Sequence, residues 1–139
     1  EKMAEEKGAN VKFTGPLPYS MMNECYAACD ILIVGHYVDR RLRDYALPKK
    51  LLDAMGYKVP AIVGPYDARR KIVERYNCGL VSEEWTDTLT TLANDKNLRK
   101  EMGENGFKAF KMNYAWELQE KKLLKVYKNL LEGDANEET

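Results

Sequence analysis

Short aliphatic runs rich in β-branched residues recur along the chain, and each is followed by a pattern typical of a helix. The runs are Ile31–Val34, Val59–Val63 and Gly79–Val81. Strands that are apolar on both faces are typical of a parallel sheet covered by helices on each side. A fourth run, Val11–Thr14, alternates its faces and predicts a further short strand. We therefore predict an α/β fold with a doubly wound, Rossmann-like parallel sheet of about four strands.

Helical patterns fill the spaces between these strands and continue after the last one. Apolar residues recur at intervals of three and four, which places them on one face of each helix. The predicted helices are Met21–Cys29, Leu47–Met55, Pro65–Tyr76, Glu84–Ala93, Leu98–Lys111 and Trp116–Leu131. We expect one domain over residues 1–132, with helices on both faces of the sheet and a helical C-terminus, and a flexible acidic tail over residues 133–139.

The net charge of the chain limits the classes of partner that it is expected to bind. The 139 residues include 22 Lys and Arg and 22 Asp and Glu, so the formal net charge is zero. A neutral chain has no overall field that gathers nucleic acid or an anionic membrane, so we expect no nucleic-acid partner and at most peripheral membrane contact. The longest uninterrupted aliphatic run, Ile31–Val34, is far shorter than the roughly 20 residues of a membrane span. We expect a cytoplasmic protein.

Three further features have structural interpretations. Cys25 and Cys29 lie one helical turn apart and could chelate a metal, but they fall on an apolar stripe without other ligands, which favours core packing and no metal site. Gly103 and Gly106 follow no strand, which favours close helix packing or a kink over a phosphate-binding loop. The sequence opens on Glu1, inside a helical pattern, so we expect a chain that is truncated at its front.

The predicted sheet places its ligand site at the carboxyl ends of the strands, where ligands of doubly wound sheets bind. The residues at these ends are Gly15-Pro16-Leu17, Gly35-His36 with the loop that follows, Gly64-Pro65 and Ser82. The sole histidine, His36, could act as a general base or a phosphate donor there, but with no partner visible an inert loop residue is the alternative.

The loop from Asp39 to Lys50 concentrates positive charge. Five basic residues against two acidic ones leave an excess of three charges, and the loop leads into the helix that begins at Pro48. Free N–H groups at a helix start favour an anion, so a phosphate or diphosphate is the natural ligand. The alternative is that these side chains are merely solvated. The charged residues are Asp39, Arg40, Arg41, Arg43, Asp44, Lys49 and Lys50.

Asp53 lies one turn into the same helix. Its carboxylate could accept hydrogen bonds from the two hydroxyls of a ribose whose phosphates lie at the helix start. A surface ion pair with Lys49 or Lys50 is the alternative.

The order of these motifs resembles the C-terminal domain of retaining GT-B glycosyltransferases of family 4. The segments that carry the resemblance are Val11–Gly15, Tyr26–Ile33, Leu47–Met55, Val59–Val63 and Cys78–Val81, followed by Leu98–Gly106, Trp116 and Val126-Tyr127. The resemblance implies a UDP- or GDP-linked sugar donor, with no other cofactor, whose sugar is transferred to a glycan or lipid-linked acceptor.

The resemblance also implies roles for individual residues. Asp53 matches the family's ribose-binding Glu, and Tyr45 stands where the family has its other Glu. Gly15, Pro16 and Leu17 match the segment along the nucleobase, and Leu47, Pro48, Lys49 and Lys50 match the diphosphate cradle. His36 and Arg43 are further candidates, and no catalytic residue is assigned.

The family's domain has two further strands in front, and an N-terminal domain binds the acceptor. The resemblance therefore implies that this chain is inactive alone, and that its partner is the missing N-terminal portion or an exchanged oligomer partner. It also allows a place at the inner face of the membrane. Two other functions are compatible with the fold, namely a non-catalytic nucleotide-binding or interaction module and a GT-B-like sugar-nucleotide epimerase.

Overall fold

The computed structural model describes residues 1–35 and 46–134. Its strands are β1 (Leu32–Val34), β2 (Ala61–Val63) and β3 (Gly79–Val81). Its helices are α1 (Lys2–Glu6), α2 (Met22–Ala27), α3 (Lys49–Gly56), α4 (Asp67–Tyr76), α5 (Trp85–Asn94), α6 (Lys96–Asn113) and α7 (Trp116–Asp134). A 3₁₀ turn, Tyr19–Met21, leads into α2. The predictions made for His36, Arg43, Tyr45 and the rest of the basic loop before residue 46 lie outside the described residues, as do residues 135–139.

The three strands form one parallel sheet in the order β1, β2, β3. Ile62 of β2 pairs with Ile33 on one side and with Leu80 on the other. Helix α3 lies between β1 and β2 in the chain, and α4 lies between β2 and β3. Parallel neighbours require such crossovers, because the chain must return to the same end of the sheet. The predicted α/β class is confirmed.

Helices cover both faces of the sheet, because alternate residues of the central strand point in opposite directions. On one face, Ala61 and Val63 pack with residues of α3, α4 and α6. On the other face, Ile62 packs with Leu92 of α5 and Met102 of α6. The buried members of the first cluster are Val34, Leu51, Met55, Ala61, Val63, Val73, Cys78 and Ala109. All three residues of β2 are buried, as its uninterrupted apolar pattern predicts.

The two glycines of α6 allow close packing, as one of the two sequence interpretations predicts. A Cβ atom at Gly103 would collide with the backbone carbonyl of Lys58. A Cβ atom at Gly106 would lie 3.2 Å from the Cβ of Cys78, tighter than ordinary van der Waals contact. These positions let α6 approach the backbone beside β2 and β3.

The predicted strand Val11–Thr14 is wrong. The segment has no regular secondary structure, and its apolar side chains Val11 and Phe13 are exposed. A strand is stable only when a neighbour satisfies its backbone groups, and the described sheet pairs no strand with this segment. The described residues therefore form three strands rather than four.

Three helix starts also differ by two residues from the sequence predictions. Helix α3 begins at Lys49 rather than at Leu47. Helix α4 begins at Asp67 rather than at Pro65. Helix α6 begins at Lys96, two residues before the predicted start, because the carboxylate of Asp95 accepts a hydrogen bond from the N–H of Leu98 at 2.8 Å. This side-chain cap satisfies one of the backbone donors at the start of the helix.

Helix α7 carries the predicted apolar stripe on an exposed surface. Every side chain from Glu120 to Glu132 is exposed. The large apolar residues of this surface are Trp116, Leu123, Leu124, Val126, Tyr127, Leu130 and Leu131. Within the two described stretches of chain, no helix is long and apolar enough to span a bilayer.

Candidate functional site

A groove of about 160 Å³ runs between one side of α3 and the segment formed by the 3₁₀ turn and α2. The residues that line it are Tyr19, Met22, Asn23, Tyr26, Lys49, Asp53 and Tyr57. Two of the predicted donor-binding residues, Lys49 and Asp53, therefore lie together in one concave site.

The amphipathic pattern of α3 explains why Asp53 points into the groove. Leu51, Ala54 and Met55 are buried in the core. Lys49 and Asp53 lie four residues apart on a different side of the helix, so the packing that buries the first set turns the second set outward.

The carboxylate of Asp53 has two neighbours, and both approach the same oxygen. The hydroxyl of Tyr26 donates to Asp53 Oδ2 at 3.3 Å. The Lys49 ammonium lies 4.0 Å from that atom. The ion pair with Lys49 is the alternative offered by the sequence, and it is present, but the Lys49 side chain is 69% exposed and such pairs contribute little to stability. Among the residues that the structure describes, no group donates a hydrogen bond to the other oxygen of Asp53, Oδ1.

Lys49 is held at one end of the groove by an aromatic neighbour. Its ammonium donates to the hydroxyl of Tyr19 at 3.0 Å and lies 5.1 Å from the centre of that ring. The hydrogen bond to Tyr19, followed by the nearby Asp53 carboxylate, raises the pKa of Lys49. The groove thus presents a fixed positive charge beside a carboxylate, an arrangement that can bind a ligand carrying both hydroxyl groups and an anion.

Stacked tyrosines form the far wall of the groove. The rings of Tyr26 and Tyr57 are 5.4 Å apart at an interplanar angle of 16°. The hydroxyl of Tyr57 donates to Asn23 Oδ1 at 2.6 Å. These contacts connect α2 with α3 across the groove.

The other predicted donor-binding residues that the structure describes do not line the groove. Pro48 precedes α3 in an extended conformation, and Lys50 is exposed in the first turn. Leu47 is also exposed. Gly15, Pro16 and Leu17 directly precede the 3₁₀ turn that supplies Tyr19, and Gly15 has a positive φ of 64°. They therefore lead into the groove rather than forming its surface.

Sequence reasoning missed the aromatic residues of the groove. Tyr19, Asn23 and Tyr26 are spaced by four and three residues, which is a helical-face signal. This spacing alone does not indicate that the face would lie opposite Asp53.

Sequence reasoning also missed a buried arginine at the carboxyl end of β1. Arg69 is 0% exposed, donates to the carbonyl of Gly35 at 3.1 Å and lies over the ring of Tyr66. A Cβ atom at Gly35 would lie 3.8 Å from the Trp85 ring. Large side chains therefore pack against this part of the predicted crevice.

Cys25 and Cys29 belong to neither cluster of buried core residues, so the core packing that the sequence favoured for them is not seen. Cys25 and Cys29 are half-buried, and the thiol of Cys29 donates to the carbonyl of Ile31 at 3.0 Å. No cluster of three or more His, Cys, Asp or Glu side chains suited to a metal ion occurs within residues 1–35 and 46–134.

Comparison with known proteins places the chain in a family. The family model described as glycosyl transferases group 1 matches residues 1–109. An uncharacterized glycosyltransferase of Methanocaldococcus jannaschii is 30% identical over 131 residues, which cover 91% of this chain and 31% of that relative. The chain thus spans about a third of the length of this relative. Because the family model covers more than half of its residues, the chain belongs to the glycosyl transferases group 1 family.

Proposed function

We propose that the chain is the donor-binding part of a retaining GT-B glycosyltransferase, which moves a sugar from a UDP- or GDP-linked donor to a glycan or lipid-linked acceptor. The observation that carries the proposal is the half-buried carboxylate of Asp53, which lies in a groove beside the Lys49 ammonium at the start of α3. Membership of the glycosyl transferases group 1 family supports glycosyl transfer in general.

Asp53 binds the ribose of the donor in this proposal. An ionised carboxylate only accepts hydrogen bonds, and the two neighbouring hydroxyls of a ribose are donors at a matching spacing. The groove, at about 160 Å³, is smaller than the roughly 300–1,000 Å³ of a complete small-molecule site. A groove of this size fits one part of a nucleotide, and the rest of the donor extends beyond it.

The start of α3 stabilises the diphosphate. The first backbone N–H groups of α3, at Lys49 and Lys50, have no partner within the helix, and the helix dipole adds partial positive charge there. The Lys49 side chain supplies a full positive charge at the same end. During transfer, negative charge develops on the departing diphosphate, and donors fixed in advance lower the energy of that state.

Further contacts with the donor are assigned by the positions of the remaining candidate residues along the chain. Gly15, Pro16 and Leu17 lead into Tyr19 and would lie along the nucleobase. Tyr45 remains a proposed donor-binding residue, with His36 and Arg43 as further candidates, and all three lie outside the described residues.

Catalysis requires more than this chain in our proposal. Because the chain corresponds to 31% of its relative, we expect it to be inactive alone and to act with an N-terminal portion or an exchanged oligomer partner. Its place would be the cytoplasm, with any membrane contact peripheral and at the inner face.

Calorimetric titration tests the proposal. UDP, GDP and their sugars are titrated into an N-terminally extended form of the chain, and saturable binding of one nucleoside diphosphate is expected. The 2′,3′-dideoxy analogue of the bound nucleotide lacks both ribose hydroxyls and serves as the matched ligand control, with weaker binding expected. Failure to bind any of these ligands would favour an interaction module of the same fold. Conversion of the sugar-nucleotide without an acceptor would favour an epimerase.

A further inference from the structure

We propose that Tyr26 is a positioning residue for nucleotide binding, because its hydroxyl holds the Asp53 carboxylate in the orientation that receives the ribose. The inference rests on the proposed function, since it assigns a role to a neighbour of the ribose-binding group. Neither the family resemblance nor the sequence spacing assigns any function to Tyr26.

The two oxygens of the Asp53 carboxylate have different surroundings. The Tyr26 hydroxyl donates to Oδ2, and the Lys49 ammonium is nearest to the same atom. Within the part of the chain that the structure describes, Oδ1 accepts no hydrogen bond. The Asp53 side chain is 28% exposed, so a ligand in the groove can reach the carboxylate. As far as the described residues show, Oδ2 is anchored by the protein with acceptor capacity to spare, and Oδ1 has its whole acceptor capacity left for a ligand.

The position of the Tyr26 hydroxyl is itself restrained. Its ring stacks on Tyr57 with the two planes 16° apart, so rotation of the ring would break the stack. Tyr57 is held in turn by its 2.6 Å hydrogen bond to Asn23, which belongs to the same helix as Tyr26. The chain of contacts runs from Asn23 through Tyr57 and Tyr26 to Asp53, so it crosses three times between α2 and the side of α3 that ends at Tyr57.

Tyr26 is a hydrogen-bond donor throughout the neutral range. Burial, and then the nearby Asp53 carboxylate, raise the pKa of Tyr26 above its ordinary value of 10.0. The hydroxyl therefore keeps its proton at physiological pH and can donate to Asp53. At 3.3 Å the contact is longer than the roughly 2.5–3.0 Å usual for an O–H···O bond, so the expected effect of removing the hydroxyl is modest.

The test is a double-mutant cycle in the complete protein to which these residues belong, with UDP and GDP as titrants. Tyr26→Phe keeps the stacked ring and removes only the hydroxyl. We expect it to raise the dissociation constant of the nucleotide that binds by about two- to tenfold, the range of a single modest hydrogen bond. In an Asp53→Ala background the same change should have no effect, because the group that Tyr26 orients is absent.

Tyr127→Phe is the matched control, since it removes a hydroxyl from the exposed side of α7 and should leave binding unchanged. Thermal melting of each variant checks that the fold is intact, and a partly buried tyrosine tolerates loss of its hydroxyl. Unchanged binding in the Tyr26→Phe variant would overturn the inference while leaving the proposed function standing. An equal loss in both backgrounds would also overturn it, since Tyr26 would then act without Asp53. Failure of the unmodified protein to bind UDP or GDP would overturn both proposals.

Discussion

The proposed chemistry depends at the residue scale on one carboxylate. Asp53 is half-buried, anchored at Oδ2 and adjacent to the Lys49 ammonium. A carboxylate that binds two hydroxyls of a ligand contributes more than an ordinary surface charge, because its removal leaves those hydroxyls without acceptors in a partly desolvated groove.

Asp53→Ala should therefore weaken nucleotide binding by about 1–3 kcal/mol, measured by calorimetric titration with UDP or GDP. Asp67→Ala is a suitable control, since Asp67 pairs with Arg70 and Lys71 on the surface of α4, away from the groove. An affinity that is the same for the Asp53 variant and for the unmodified protein would count against the ribose contact.

A second residue-scale prediction concerns Cys78, which is 1% exposed. Burial raises the pKa of its thiol to about 11. In the unfolded chain the pKa of this thiol is about 8.5. Above that pH, the folded state therefore retains a proton that the unfolded state loses. The stabilisation from this difference is fully present below about pH 8.5 and is lost as the pH rises to about 11.

The measurement compares urea unfolding of the unmodified chain and Cys78→Ala. We expect the difference in their free energies of unfolding to be constant from about pH 7 to 8 and to shrink by about 1–3 kcal/mol towards pH 11. The comparison cancels the titration of the lysines and tyrosines that the two chains share. A difference that stays constant over the whole range would show that the thiol titrates alike in both states.

At the scale of elements, the close packing of α6 positions it against the segment that follows α3. Gly103 allows α6 to lie against the backbone of Lys58, two residues after the end of α3. Because α3 carries Lys49 and Asp53, the packing of α6 on one side supports the groove on the other.

Gly103→Ala should destabilise the fold by about 1–3 kcal/mol, because the added methyl group must displace backbone rather than a flexible side chain. Gly56→Ala is the matched substitution, since its Cβ would meet only the Phe110 ring at 3.6 Å. We expect that change to be neutral or to stabilise by up to about 1 kcal/mol through helix propensity. Thermal or urea unfolding distinguishes the two, and equal stabilities would contradict the packing argument.

The whole molecule combines a sheet whose central strand is buried with a helix that contributes little to the core. Leu124 and Leu131 of α7 are 59% and 72% exposed, whereas Leu92 of α5 is 0% exposed. Stability should therefore come from the sheet and its covering helices, and the apolar surface of α7 should be nearly independent of it.

Replacing Leu124 and Leu131 together by Gln should change the free energy of unfolding by only about 0.5 kcal/mol. Leu92→Ala, which empties a buried position, should cost about 2–5 kcal/mol. Urea unfolding of this chain measures both. A large loss in the α7 variant would mean that its surface is packed in solution.

The fold was predictable where local pattern and tertiary environment agree. Uninterrupted aliphatic runs predicted β1, β2 and β3, since such runs are typical of strands covered on both faces. Only β2 is buried throughout, and Ile33 of β1 is 37% exposed. The alternating pattern of Val11–Thr14 also favoured a strand, but pairing is a property of two segments and no local signal reports whether a neighbour is present. Likewise, the capping carboxylate of Asp95 competes with the apolar pattern and moves the start of α6.

The candidate site, too, was predictable from the sequence only in part. The sequence by itself determined that Asp53 and Lys49 share one side of a helix, because a fixed helical period relates residues four apart. Only the tertiary structure decided that Tyr26, 27 residues away, donates to Asp53 and that Tyr19, 30 residues away, accepts from Lys49. Such contacts depend on how α2 packs against α3, and that packing is selected by the burial of the whole core rather than by any local spacing.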